Sequence, residues 1–126
     1  MEIINTEDAP KSSFYSQAVK AAGLVFVSGQ APIDPKTGLV TGETIQEQTE
    51  MCLKNMSAIL EAAGSSISKV VSATFILVDE SDFKGMNEVW AKWFPKDPPA
   101  RQGAKHPVSA LTIPGLKLSI SVVAEA

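Results

Sequence analysis

Along the first quarter of the chain apolar residues recur at nearly every second position. From 14 to 29 it reads FYSQAVKAAGLVFVSG, which predicts two strands, about 14 to 20 and 23 to 29, folded back on each other near Ala21-Ala22-Gly23. The next stretch, APIDPKTGLVTG, holds two prolines and two glycines, so neither a helix nor a central strand fits there and it reads as loop. The period then changes. Thr44 with Glu47 three residues later matches a capping box, and Ile45, Cys52, Met56, Ile59, Leu60 and Ala63 recur at helical spacing up to Gly64. KVVSATFILV (69–78) is β-branched and almost continuously apolar, the pattern of a strand in the interior of a sheet. Phe83, Met86, Asn87, Trp90 and Phe94 share one helical face, and Pro95, Pro98 and Pro99 close the segment, predicting a second helix over 81–94. Arg101 to Ala110 and Leu116 to Ala124 can both be extended, with TIPG between them, and EIINT near the start can add a short strand.

Two helices among five or six strands make an α+β domain, a mixed β-sheet with both helices packed on one face. The last strand shows what the other face is like. Leu116, Leu118, Ile120 and Val122 alternate with Lys117, Ser119, Ser121 and Val123, so one side is apolar and the other small and semi-polar. A sheet covered by helices on one side only offers its second side to water or to another subunit, a natural route to a closed symmetric oligomer.

Composition narrows the classes. At 126 residues with 44% hydrophobic and 20% charged content, the chain fits one domain spanning 1–126, burying roughly two thirds of its unfolded surface. Apolar runs such as AAGLVFV (21–27) are far below the ~20 residues of a membrane span, and no membrane partner is expected. The acidic start MEIINTED resembles neither a secretory signal nor an Arg-rich transit segment, so a cytoplasmic protein is expected, with the mitochondrial matrix as the alternative compartment. The net charge is −3 and the lysines are spread out. Nucleic-acid affinity needs clustered cations, so no nucleic-acid partner is expected. The lone Cys52 cannot form an internal disulfide, and its place on an apolar helix face reads as a buried structural thiol. His106, the only histidine, has no second ligand near it in sequence; it reads as a loop or interface residue, and no metal is expected.

One feature of the charge pattern points to chemistry. The eleven basic residues comprise ten lysines and a single arginine, Arg101, placed just after Pro98-Pro99 in DPPARQGAKHP. A guanidinium presents a planar fork of N–H donors that grips a carboxylate by both oxygens, where lysine supplies a point charge.

The stretches FYSQAV, VSGQAPIDPKTG, NMSAILEAAG, DFKGMNEVW and PPAR resemble, in that order and spacing, the Rid family of reactive intermediate deaminases (the YjgF or L-PSP endoribonuclease-like family). The resemblance implies a chorismate-mutase-like α+β fold assembled as a homotrimer, with sites in the clefts between subunits. It implies a hydrolase acting on C=N bonds: 2-imino or enamine acids such as 2-iminobutanoate and 2-iminopropanoate would become 2-keto acids and ammonia, without a cofactor. Carried onto this chain, Arg101 falls on the carboxylate-binding arginine, with backbone N–H groups of Gly29 and Gly103 completing the anion pocket. Tyr15 would line the cleft, Ser28 and Asn87 would be polar cleft residues, and Phe83 and Trp90 would be wall or core.

Two departures stand out. Where the family carries an acidic residue early in the last strand to position water, this chain has Ser119 and Ser121, and neither is a base near neutral pH without a partner. Where the family often has cysteine two places after the arginine, Gly103 stands, and the segment onward to the last strand is longer and contains Pro107. Arg101, Ser119 and Ser121 are therefore the candidate catalytic set, and Tyr15, Ser28, Gly29, Asn87, Arg101 and Gly103 the candidate substrate-binding set. The alternative is a non-catalytic or weakly active binder of small carboxylates, metabolite-sensing or chaperone-like.

Overall fold

Ala22 and Gly23, with φ of 53° and 76°, form the two-residue turn joining Ala18–Ala21 (β2) to Leu24–Gln30 (β3). A turn with both central residues at positive φ matches the twist of the strands it joins, and glycine reaches that region without strain. The structure is a computed structural model that describes residues 1–106 and 113–126. Its remaining elements are Glu2–Ile4 (β1), Ile45–Ala62 (α1), Val70–Leu77 (β4), Phe83–Trp93 (α2), Ala100–Lys105 (β5) and Leu118–Glu125 (β6). Residues 107–110 of the expected extended segment lie outside the described residues.

The strands form one sheet in the order β1-β2-β3-β6-β4-β5. Every neighbouring pair is antiparallel except β4 and β5, which run parallel because α2 carries the chain back between them. α1 packs across β3 and β6, and α2 lies beside it, so both helices cover one face as the pattern predicts. The core sits between: Val25 and Val27, Ala73, Phe75 and Leu77, and Leu118, Ile120, Val122 and Ala124 from the sheet meet Cys52, Leu53, Met56, Ile59 and Leu60 of α1 and Met86, Val89 and Trp90 of α2. The alternation in β6 holds, with Ser119, Ser121 and Val123 on the outer face.

α1 carries the capping box: Thr44 accepts from the Glu47 N–H at 3.1 Å, and the Glu47 carboxylate accepts from the Thr44 N–H at 3.1 Å. It ends with Gly64 at φ 79°, where the Gly64 N–H donates to Glu61 at 2.9 Å and the Ser65 N–H to Leu60 at 2.8 Å. That is the glycine-terminated helix end the sequence suggests.

The strand expected from residue 14 begins only at Ala18. Gln17, 3% exposed, explains the difference. Its amide donates to the carbonyls of Thr6, Ala9 and Pro10 and accepts from the Thr6 N–H. The side-chain amide thereby ties the segment before β2 to the loop at 6–10, and residues 14–16 stay outside the ladder.

Candidate active site

Arg101 lies on β5, the edge strand, in register with Ala73 of β4. Paired residues share a sheet face, so its side chain points to the helix side. There Nη1 donates to Oδ1 of Asn87 on α2 at 2.8 Å. Three aromatic rings surround the guanidinium: its carbon lies 4.9 Å from the Trp90 ring centroid, 5.0 Å from Phe75 and 5.5 Å from Phe83, all within cation–π range. No carboxylate pairs with it among the described residues. Partial burial pulls its pKa below the ordinary arginine value, yet a guanidinium stays cationic at neutral pH. The result is a positive charge oriented by neutral groups and not cancelled by any of them, with donors left over for an anion.

Gly103 follows on the same strand face and is the register partner of Phe75. A Cβ there would fall 2.1 Å from the Phe75 ring, so the ring occupies the space where a side chain at 103 would begin. This accounts for a glycine at that position: Phe75 is large because 103 is bare. The sequence places Phe75 only in a buried strand; its contact with the arginine depends on the β4–β5 register, for which no local signal exists.

The other expected binding residues lie across the sheet. The β3–β6 register shifts between Val27 and Gln30, and neither Ser28 nor Gly29 has a partner in it, so a bulge turns the chain at these two residues. Ser28 is committed locally: Oγ donates to the Ser16 carbonyl at 2.6 Å and its N–H to the Gln17 carbonyl at 3.0 Å. Tyr15, 58% exposed, stands in the loop before β2. Between β3 and β5 lie β6 and β4, three ladder steps or roughly 14 Å. Arg101, Asn87 and Gly103 are thus together, Tyr15, Ser28 and Gly29 form a second group, and one chain does not close them into a single cleft.

Ser119 and Ser121 pair with Ile76 and Thr74, on the face opposite Arg101. Within one chain the expected catalytic set is split by the sheet itself. Two buried amides missed by the sequence reading hold the second group in place. Gln17 fixes the loop leading to Tyr15, and Asn55 of α1, 2% exposed, donates to the carbonyls of Ala31 and Ile33 at 3.2 and 2.8 Å, pinning the chain just after the bulge. An asparagine among the apolar positions of a helix was the available sign.

Cys52 is fully buried, and burial pushes its thiol pKa up, so it is inert as a nucleophile. The His106 N–H donates to the Leu77 carbonyl at 2.7 Å. No group of residues suited to hold a metal ion occurs among the described residues, and no described helix is long and apolar enough to cross a membrane.

Residues 6–126 match the family model described as Endoribonuclease L-PSP, and the chain is 44% identical over 124 residues to Reactive Intermediate Deaminase A, chloroplastic, of Arabidopsis thaliana. The chain belongs to the Rid family. The match takes in 98% of this chain and 65% of that plant protein, so this Rid chain spans less than two thirds of its relative's length. Among solved structures, RidA from an Antarctic Psychrobacter superposes with a TM-score of 0.91 at 34% identity, covering 100% of both chains. Escherichia coli TdcF with bound serine gives 0.90 at 32% identity, covering 100% of this chain and 99% of that one. The mixed sheet with two helices on one face is the fold of these Rid neighbours.

Proposed function

We propose that the protein hydrolyses 2-imino acids to 2-keto acids and ammonia, with Arg101 holding the substrate carboxylate in a cleft completed by a second copy of the chain. The observation carrying this reading is the guanidinium itself, aimed by Asn87 and three rings and left without an anionic partner among the described residues. The Arabidopsis relative's name, a reactive intermediate deaminase, supplies the reaction class. The serine in the TdcF crystal supports a small amino-acid-like carboxylate as the ligand type. The split between the Arg101 group and the Tyr15–Ser28–Gly29 group supports a cleft between copies, because the roughly 14 Å that separates them in one chain can be closed by juxtaposing two. A homotrimer is the assembly proposed.

The chemistry asks little of the protein. The iminium carbon is already electrophilic; water adds to it, the nitrogen takes up the protons, and the C–N bond breaks to give the keto oxygen and ammonium. Orientation by the carboxylate fork supplies most of what is needed, and well-oriented reactions gain up to ~7–11 kcal/mol. Ser119 and Ser121, on the outer face, would hold water for the site formed with the facing copy, as hydrogen-bonding hydroxyls and not as bases.

The test is the decay of freshly generated 2-iminobutanoate and 2-iminopropanoate with ammonia release. The expected result is decay well above that in buffer, falling about 10²-fold in kcat/KM in Arg101→Lys, which corresponds to ~2.7 kcal/mol of lost transition-state binding. Equal activity in that variant would contradict the assignment. A second reading, a binder that does not catalyse, is favoured by the serines standing where an acid is expected. It predicts that 2-oxobutanoate raises the melting temperature while imine decay stays at the buffer rate.

A further inference from the structure

A groove of about 390 Å³, lined by two of the rings that pack on Arg101 but not by Arg101 itself, opens between β5 and the turn that enters α2. Phe75, Leu77 and Phe83 give it apolar walls, Gly103 lets the Phe75 ring lie directly against β5, and Glu80 and Lys105 stand at its rim. We propose that this groove is the side-chain subsite of the Arg101 site, and that it selects 2-imino acids with branched or aromatic apolar side chains over those carrying only a methyl or ethyl group. The inference rests on the carboxylate-binding reading of Arg101 and adds the substrate class.

Three observations carry it. First, the groove and the anion site share walls. The Phe75 and Phe83 rings, 5.7 Å apart and tilted by 32°, lie 5.0 and 5.5 Å from the guanidinium carbon and also line the groove. A carboxylate on the arginine therefore leaves the carbon next to it within reach of those rings. Second, the groove is too large for a small acid. A methyl group leaves most of 390 Å³ to water against three apolar walls, whereas ligand pockets of about 300–1,000 Å³ are the usual size for molecules that fill them. Third, its charges are already paired. Lys105 Nζ meets Glu80 Oε1 at 3.3 Å, so the rim carries one charge of each sign and its field favours neither acidic nor basic side chains strongly. The bare Gly103 is part of the same arrangement, since any side chain at 103 would displace the Phe75 ring that forms one wall.

The experiment uses the full chain and two readouts. Imines of alanine, leucine and phenylalanine are generated in situ by an amino-acid oxidase and their decay followed. Binding of pyruvate, 4-methyl-2-oxopentanoate and phenylpyruvate is measured by calorimetry, which needs no turnover. One methylene in an apolar pocket is worth about 10- to 200-fold in discrimination, so the isobutyl or benzyl acids are expected to be preferred at least ~10-fold over the methyl acid in both readouts. Phe83→Ala, at a ring already 43% exposed, should fold as the parent does and bring that preference within about threefold by removing one wall. If pyruvate binds as tightly as the larger acids, or if Phe83→Ala retains the preference, the groove assignment is overturned while the Arg101 reading stands. If no acid binds and no imine is hydrolysed, the Arg101 reading falls and this one with it. Blockage of the groove by a side chain of a second copy gives the first of these results and counts against the proposal.

Discussion

At the scale of single residues, the site is built on the cost of holding a charge still. Lysine would need three donors satisfied around a mobile point charge; the Arg101 plane is fixed by one amide and the faces of three rings. The Asn87 contact is a hydrogen bond to a charged group, and such bonds are worth about 1.5–3 kcal/mol. Asn87→Ala is therefore expected to lower the melting temperature by a few degrees and, by letting the fork turn, to weaken binding of a small 2-oxo acid by about 10-fold, whereas Asn87→Asp should keep the contact; calorimetry alongside thermal unfolding reads both. Gly103 and Phe75 behave as one unit. Because the Cβ of an alanine would fall 2.1 Å from the ring, Gly103→Ala should cost about 1–3 kcal/mol of stability as an overpacked site. Most of that loss should be absent when Phe75→Leu is already in place. Denaturant unfolding of the double-mutant cycle checks this, and strictly additive changes would show that the ring and the glycine are not coupled.

Among the elements, α1 is the one whose limits were written most plainly in the chain. Thr44, Glu47 and Gly64 are all local signals, and local hydrogen bonds satisfy them in the structure. Thr44→Ala should cost about 1 kcal/mol. The effect should depend on pH. The Thr44 backbone N–H, the Thr44 hydroxyl and the Glu43 backbone N–H hold the Glu47 carboxyl below its ordinary 4.5, and of these Thr44→Ala removes only the hydroxyl. A depressed carboxyl contributes stability that is fully present above that ordinary value and is lost as the pH falls through the lowered one. The difference in melting temperature between the parent and Thr44→Ala should therefore be widest near neutrality and narrow somewhat as the pH falls below the ordinary carboxyl value of 4.5; a difference that grows in acid would contradict the box. The N-terminal strand shows the opposite case. Its alternating pattern predicted a strand from residue 14, but β2 begins at Ala18, because the Gln17 side-chain amide ties the preceding segment to loop carbonyls.

On the scale of the whole molecule, the uncovered sheet face is the feature on which the proposed assembly rests. Val19 pairs with Phe26, Phe26 with Val123, and Val123 with Ser72, a row across four strands on the outer side, with Phe26 41% exposed. The parent is expected to sediment as an oligomer. Phe26→Lys, which places a charge in the middle of that row, should shift it to monomers and remove imine hydrolysis along with assembly, if the cleft is completed between copies as proposed. Sedimentation velocity read beside the decay assay checks this; an assembled variant would show that copies meet elsewhere. The separation of the Arg101 group from the Tyr15 group explains why the candidate site was legible residue by residue in the sequence yet not as a geometry.

What the sequence settled by itself are the features that depend on near neighbours: the hairpin turn near Ala21-Ala22-Gly23, the capped helix from Thr44 to Gly64, the buried strand read over 69–78 and found at Val70–Leu77, and the helix that ends in prolines. Each follows from periodicity, capping or side-chain chemistry within a few residues. Tertiary structure decided what depends on register and strand order: that β5 lies parallel to β4 at the edge, that the Phe75 ring fills the space beside Gly103, that Asn87 aims Arg101, and that the sheet sets Ser119 and Ser121 on the face away from it. Contacts of that kind join segments far apart in the chain, and their energies come from packing and pairing that no local stretch encodes.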